Sequence, residues 1–262
     1  MPHCWENTAD VYVRSFAGLC AGTVDEILRR LGPGDASRRL LDIGTGPGTV
    51  AAAAKDSGYA VIGLDSDSSM IALASRRHPG IGFGLASIER LPCRDQTFEA
   101  ITANFVVNHA PDPRSATREL FRGLRSGGRL VATIWSSQPV SLHQLWNDVM
   151  AQAGVSPSSA PRLPAALDFE RTPEGFGGML AEAGFEQVDC RELRWTFEIR
   201  PDDLWAAVEA GIAGIGQTFR NQDAAGRERL RAAYRELTAV DRRAGVLKLP
   251  SIALVASADR VR

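Results

Sequence analysis

Apolar residues over the first 135 positions alternate between two rhythms: short unbroken runs, and stretches in which they recur every three or four residues. The runs read as buried strands and the stretches as amphipathic helices, in the alternation that builds a parallel α/β sheet. Residues 8–31 set Val11, Phe16, Leu19, Val24, Ile27, Leu28 and Leu31 at helical intervals and stop at Gly32-Pro33-Gly34. Leu40–Gly44 predicts a first strand and Thr49–Lys55 its helix. Ala60–Leu64 predicts a second strand, followed by a helix through Met70, Ile71, Leu73 and Ala74 that His78-Pro79-Gly80 ends. Ile81–Leu85 is a weaker third strand and Phe98–Phe105 a fourth. A helix over Ser115–Leu124 then leads through Ser126-Gly127-Gly128 into a fifth strand, Arg129–Trp135.

Beyond Trp135 the rhythm loosens. Residues 136–172 are rich in Ser, Pro and Gln around one amphipathic piece, Leu142–Ala153, and Ser156–Pro164 reads as a loop over the sheet. Thr172–Gly184 returns to a helix and Phe185–Ile199 to a strand of partly alternating character. Residues 201–245 carry two helical patterns, one through Leu204, Trp205, Val208 and Ile212, another through Leu230, Tyr234 and Leu237. Leu247–Ser257 closes the chain as a strand. These elements predict one α/β domain over 1–262, a mostly parallel seven-stranded sheet with flanking helices. Residues 1–35 form an N-terminal helical cap, and 136–172 and 201–245 are helical insertions suited to act as lids.

Composition narrows the partners. With 44% hydrophobic residues in 262, the chain can bury a sizeable core, and a net charge of −1 gives no reason to expect nucleic acid or an anionic membrane. Lys55 and Lys248 are the only lysines, so arginine supplies nearly all the positive charge. Cys4, Cys20, Cys93 and Cys190 form no C-x-x-C or metal-ligand spacing, which predicts reduced thiols, no metal and a cytoplasmic protein. The N-terminus lacks a basic n-region and an apolar h-region, so export and membrane insertion are not expected.

The chemistry begins at Arg39-Leu-Leu-Asp-Ile-Gly-Thr-Gly-Pro-Gly-Thr-Val-Ala51, where a buried strand runs into Gly44, Gly46 and Gly48. Glycines at a strand's carboxyl end let the chain turn sharply and bring backbone N–H groups close to a ligand. Asp65 ends the second strand, 21 residues beyond Gly44, near the offset at which an acid reaches ribose hydroxyls. Its other reading, an N-cap for the next helix, is equally open to Ser66, Asp67 and Ser68.

The order Asp42-x-Gly44-x-Gly46-x-Gly48, then Asp65, resembles class I S-adenosylmethionine-dependent methyltransferases of the small-molecule, methyltransferase type 11-like group, from about Trp5 to Trp135. The resemblance implies a Rossmann-like fold with S-adenosylmethionine as cofactor and S-adenosylhomocysteine as product. By it, Asp42, Gly44, Thr45, Gly46 and Gly48 receive the methionine part, Asp65 with Ser66 holds the ribose, and Met70 packs on adenine. The stretch Ala86-Ser-Ile-Glu-Arg-Leu-Pro-Cys-Arg-Asp-Gln-Thr-Phe-Glu99 is similar to the family's Asp-Ala-Glu-x-Leu-Pro-Phe segment on the adenine edge, with Ser87 where Asp is usual and Ile88 where Ala is usual. A serine oxygen accepts from the adenine amino group, and the Ile88 N–H donates to the ring. Thr102-Ala-Asn-Phe-Val-Val-Asn-His-Ala-Pro-Asp-Pro113 is similar to the family's strand-four exit, which puts Asn104, Phe105 and His109 near the methionine and the transferable methyl. Phe105 and Tyr12 are candidates for cation–π contact with the sulfonium.

His109 and His143 are the candidate bases, since imidazole titrates near neutrality and takes a hydroxyl or amine proton. Trp146, Phe169, Phe176, Trp205 and Phe219, in and around the insertions, point to an apolar or aromatic small-molecule acceptor. The same residues also serve simply to pack the insertions. A dinucleotide oxidoreductase would show Gly-x-Gly-x-x-Gly, whereas Thr49 stands at the third glycine's place and no Tyr-x-x-x-Lys pair occurs. The expected activity is methyl transfer to O, N or C of a small metabolite. The alternative is the same cofactor-binding fold used as a pericyclase, an isomerase or a binding protein.

Overall fold

The computed structural model describes residues 8–158 and 163–261. Expectations placed on Cys4, Trp5 and residues 159–162 lie outside the described residues. Seven strands form one sheet: β1 (Arg39–Ile43), β2 (Ala60–Asp65), β3 (Gly82–Leu85), β4 (Phe98–Asn104), β5 (Leu124–Trp135), β6 (Glu186–Ile199) and β7 (Leu247–Arg260). Their spatial order is β3-β2-β1-β4-β5-β7-β6. Strands β1 to β5 pair in parallel, and β7 runs antiparallel against β5 from Gly128↔Arg260 to Trp135↔Ala253. Leu40, Leu41, Asp42 and Ile43 are all buried, as a parallel strand covered on both faces requires.

The described helices are α1 (Ala9–Arg14), α2 (Phe16–Ala21), α3 (Val24–Leu31), α4 (Thr49–Asp56), α5 (Ser68–Arg77) and α6 (Pro113–Gly123). They continue as α7 (Ser141–Ala153), α8 (Pro173–Glu182), α9 (Pro201–Glu209), α10 (Ala213–Arg220), α11 (Ala224–Leu237) and α12 (Ala239–Ala244). None is long and apolar enough to cross a membrane.

The chain divides into two compact units. One, Thr23–Ser137 with Leu163–Leu193 and Ile252–Arg262, holds the parallel strands and a core in which Leu41, Ile101, Leu120 and Leu130 meet Phe176 and Leu180. The order of strands reverses at β1: β2 and β3 lie to one side, β4 and β5 to the other. Chains leaving β1 and β4 therefore part in opposite directions, which opens a crevice at their carboxyl ends.

The other unit, Met1–Gly22 with Gln138–Arg162 and Arg194–Ser251, is mainly helical. Its rings pack on each other: Tyr234 stacks with Trp205 at 4.9 Å and with Trp146 at 5.6 Å, and Trp205 meets Phe219 edge to face. The Tyr234 hydroxyl donates to the Pro201 carbonyl at 2.7 Å. Phe169 and Phe176 lie together in the core of the sheet unit. These aromatic residues serve packing, so they carry no information about an acceptor.

Two expectations change in detail. The single helical pattern over 8–31 is three helices. Ser15 breaks it by turning its hydroxyl onto the Val11 carbonyl at 2.7 Å, and Gly22 ends α2 where the Trp195 ring occupies the space a Cβ would take. The two patterns in 201–245 are four helices, interrupted at Gly211, at the Asp223 cap of α11 and at Thr238. Apolar periodicity continues across breaks of one to three residues, so spacing alone does not reveal them.

Candidate active site

Four chain segments meet at the carboxyl edge of the parallel strands, and the loop after β1 is the central one. Gly44 and Gly46 both have left-handed backbone, φ +64° and +52°. A Cβ on Gly44 would overlap the Val106 side chain, so glycine there lets the chain leaving β4 lie against the loop. A Cβ on Gly46 would meet nothing within 4 Å. The Thr45 N–H donates to the Leu64 carbonyl at 2.9 Å, tying the loop to β2.

Asp42 anchors this loop from below. Its carboxylate accepts the Thr45 hydroxyl at 2.6 Å and the Thr102 hydroxyl of β4 at 2.7 Å. Burial pushes its pKa up to about 6; the two hydroxyls and the Ala51 N–H oppose the rise, and the charge of Asp65 adds to it.

Asp65 stands at the end of β2. One carboxylate oxygen accepts the Gly46 N–H at 2.8 Å and the other the Asp67 N–H at 2.9 Å. Burial raises its pKa, against the pull of these N–H groups. The helix cap that competed for Asp65 in the sequence belongs instead to Asp67, whose Oδ1 accepts the Ser69 and Met70 N–H groups. Ser66 is exposed and Met70 is buried on the first turn of α5. Across β3, the exposed Ser87 takes the Glu89 N–H on its hydroxyl, and the Ile88 side chain joins the core.

At the β4 exit, Asn104 Oδ1 accepts hydroxyl protons from Thr23 at 2.8 Å and Thr133 at 2.6 Å. Phe105 follows at φ +57°, buried, with its ring stacked on Trp135 at 3.8 Å. His109 lies at the end of a short 3₁₀ turn, Val107–His109, open to solvent yet crowded enough that desolvation lowers its pKa.

Asp42, the glycine loop, Asp65, Ser66, Met70, Ser87, Ile88, Asn104, Phe105 and His109 all belong to the sheet unit. Tyr12 and His143 belong to the helical unit. There Tyr12 donates its hydroxyl to Cys20 Sγ at 3.4 Å, and His143 is exposed on α7 with its pKa lowered by desolvation. Thr23, Thr102 and Thr133, which tie the site together, escaped the sequence reading. The available signal was a threonine interrupting the apolar runs Ala100–Ala103 and Leu130–Ile134, because a buried hydroxyl needs partners.

Two carboxylates beneath a glycine loop suit a ligand that brings hydroxyls and positive charge, and oppose a pyrophosphate. The chain matches the methyltransferase domain family over residues 41–132, the segment from β1 to β5. Demethylmenaquinone methyltransferase of Clavibacter sepedonicus is 32% identical over 171 residues, covering 60% of this chain and 69% of that protein. Malonyl-[acyl-carrier protein] O-methyltransferase of Enterobacter lignolyticus is 26% identical over 216 residues, 82% of this chain and 78% of its own. The solved YcgJ protein of Bacillus subtilis has the same fold, with a TM-score of 0.59 at 18% identity over 92% of this chain and 98% of its own. With strand order, glycine loop and relatives in agreement, this chain belongs to the class I S-adenosylmethionine-dependent methyltransferases, and S-adenosylmethionine is its cofactor.

Proposed function

We propose that the chain transfers the methyl group of S-adenosylmethionine to an O, N or C nucleophile of a small metabolite, with the sheet unit holding the donor. The observation that carries this reading is the pairing of Asp65 with the Gly46 N–H at the open edge of the sheet. The Asp65 carboxylate oxygens accept the Gly46 and Asp67 N–H groups, and a carboxylate's lone-pair capacity suits it to accept from a ribose hydroxyl as well. The space beside Gly46, which no side chain fills, fits a ligand lying along the loop. Met70 offers apolar surface and Ile88 its backbone N–H on the adenine side, Ser87 a polar atom at its edge, and Ser66 stands beside Asp65 at the ribose. Asn104 and Phe105 are assigned to the methionine and sulfonium end.

The bound cofactor supplies a methyl group on a sulfonium already activated for displacement. The chain's task is then to orient the acceptor in line and to exclude water. A base is needed where the nucleophile loses a proton. His109 and His143 are the candidates for it, since desolvation lowers the pKa of both imidazoles and so favours the neutral form that accepts a proton. The helical segments 136–172 and 201–245 are assigned to acceptor choice, since the family match ends at residue 132. The relatives named for a quinone precursor and an acyl-carrier-bound malonyl group support a small-molecule acceptor in this chain too.

Incubation with S-adenosylmethionine and a panel of phenols, quinols, amines and carboxylates tests the reading. One S-adenosylhomocysteine should appear for each methylated product. Complete turnover of an acceptor without that release would replace methyl transfer with another use of the fold.

A further inference from the structure

We propose that Thr133, a β5 residue outside the site assigned above, is the positioning residue that sets the geometry of the β4 exit for cofactor binding. The proposal rests on reading the glycine loop and β4 exit as the S-adenosylmethionine site. Thr133 is fully buried between apolar neighbours, Val131, Ala132 and Ile134, in a strand where any of them would be the simpler choice. A hydroxyl placed there must use both its proton and its oxygen.

It does so across the β4–β5 pairing. Thr133 stands opposite Asn104, the last residue of β4, and donates to Asn104 Oδ1 at 2.6 Å. The same hydroxyl oxygen accepts the Phe105 N–H at 2.9 Å, and the Thr133 carbonyl accepts that N–H at 3.1 Å. One side chain thus reaches a residue beyond the last rung of the strand pair.

Two consequences follow for the site. The Asn104 amide oxygen takes protons from both Thr133 and Thr23, two donors on separate elements that converge on one atom. Its orientation is therefore fixed. Phe105 is held at φ +57°, a left-handed conformation that L residues avoid, and its N–H is engaged by both the hydroxyl and the carbonyl of Thr133. That turn delivers Val106 to the space a Gly44 Cβ would occupy. Thr133 therefore acts on the β4 exit and, through Val106, on the glycine loop.

The test measures S-adenosylhomocysteine affinity by calorimetry, and thermal stability, on the full chain. Thr133→Val keeps the shape and removes the hydroxyl; it should weaken binding about tenfold, the loss of roughly one hydrogen bond's worth of positioning. Thr133→Ser should restore affinity to within about twofold of the parent. Thr117→Val, which removes a buried hydroxyl that donates to the Pro113 carbonyl within α6, should lower the melting temperature without changing affinity. Parent affinity in Thr133→Val would overturn the proposal and leave Thr133 a packing residue. Should that variant fail to fold, Thr133→Ala removes the same hydroxyl without placing a methyl in its stead, and parent affinity there overturns the proposal equally. If Asp65→Ala in the same series also binds like the parent, the cofactor site itself has been misassigned and the role of Thr133 falls with it.

Discussion

Replacing Asp42 with asparagine removes a charge that the fold keeps at a cost. Its carboxyl titrates at about 6 in the folded chain against an ordinary 3.8. At about 1.4 kcal/mol per unit, a rise of roughly two units makes the ionised form about 3 kcal/mol less favourable in the folded chain. Asp42 is only 1% exposed, so solvent screening does little to reduce this. The sign is that of a raised carboxyl: the stability its protonated form contributes is fully present below pH 3.8 and is lost as pH rises through 6. The uncharged asparagine of the variant has no such dependence. Urea unfolding of both proteins from pH 3 to 8 should show the parent losing about 3 kcal/mol relative to Asp42→Asn, roughly half of it between pH 5 and 8. Titrating groups that do not interact with Asp42 cancel in the difference, and the coupled Asp65 is a smaller contribution than burial. Asparagine cannot accept both the Thr45 and Thr102 hydroxyls as the carboxylate does, which adds a constant offset without affecting the slope. A difference that stays level across this range would refute the buried charge and the anchoring of the loop that depends on it.

Two further outcomes bear on the site. Gly46→Ala introduces left-handed strain of about 1–2 kcal/mol but no clash, so it should fold and lose cofactor affinity, whereas Gly44→Ala should be markedly less stable because its methyl meets Val106. Thermal melts with S-adenosylhomocysteine titrations separate the two, and Gly46→Ala binding at parent strength would remove the loop from the site. If a histidine is the base, kcat should fall on acidification below its ordinary value of 6.5, and replacement of His143 or His109 by alanine should abolish that limb. A parent profile flat from pH 5 to 8 would leave acceptor positioning alone as the mechanism.

The sheet was legible because parallel strands buried on both faces are written as nearly continuous apolar runs, as in Leu40–Ile43 and Ala100–Ala103, each interrupted once, by the buried Asp42 and Thr102. The glycine loop and Asp65 were legible because backbone conformation and charge are local properties of residue type. Helix ends at Ser15, Gly22 and Gly211 were harder, since they depend on one hydroxyl or on what stands nearby, as the Trp195 ring does beside Gly22. Trp146, Trp205 and Phe219 looked like an acceptor pocket because an aromatic side chain reads the same in a core or a cleft. Only their stacking around Tyr234 distinguishes the two. The threonine bridges were least visible: Thr102 meets Asp42 and Thr133 meets Asn104 across large separations in sequence, where no local pattern records a partner.

In the proposed function the cofactor is held at the junction of Gly46 and Asp65. Calorimetric titration of S-adenosylhomocysteine into the parent and into Asp65→Ala, with thermal melts to establish that the variant folds, tests it most directly. Two charge-assisted ribose hydrogen bonds at about 1.5 kcal/mol each predict saturable one-to-one binding by the parent and about 100-fold weaker binding by the variant. Equal affinity in a folded Asp65→Ala, or a parent that does not bind, would contradict it.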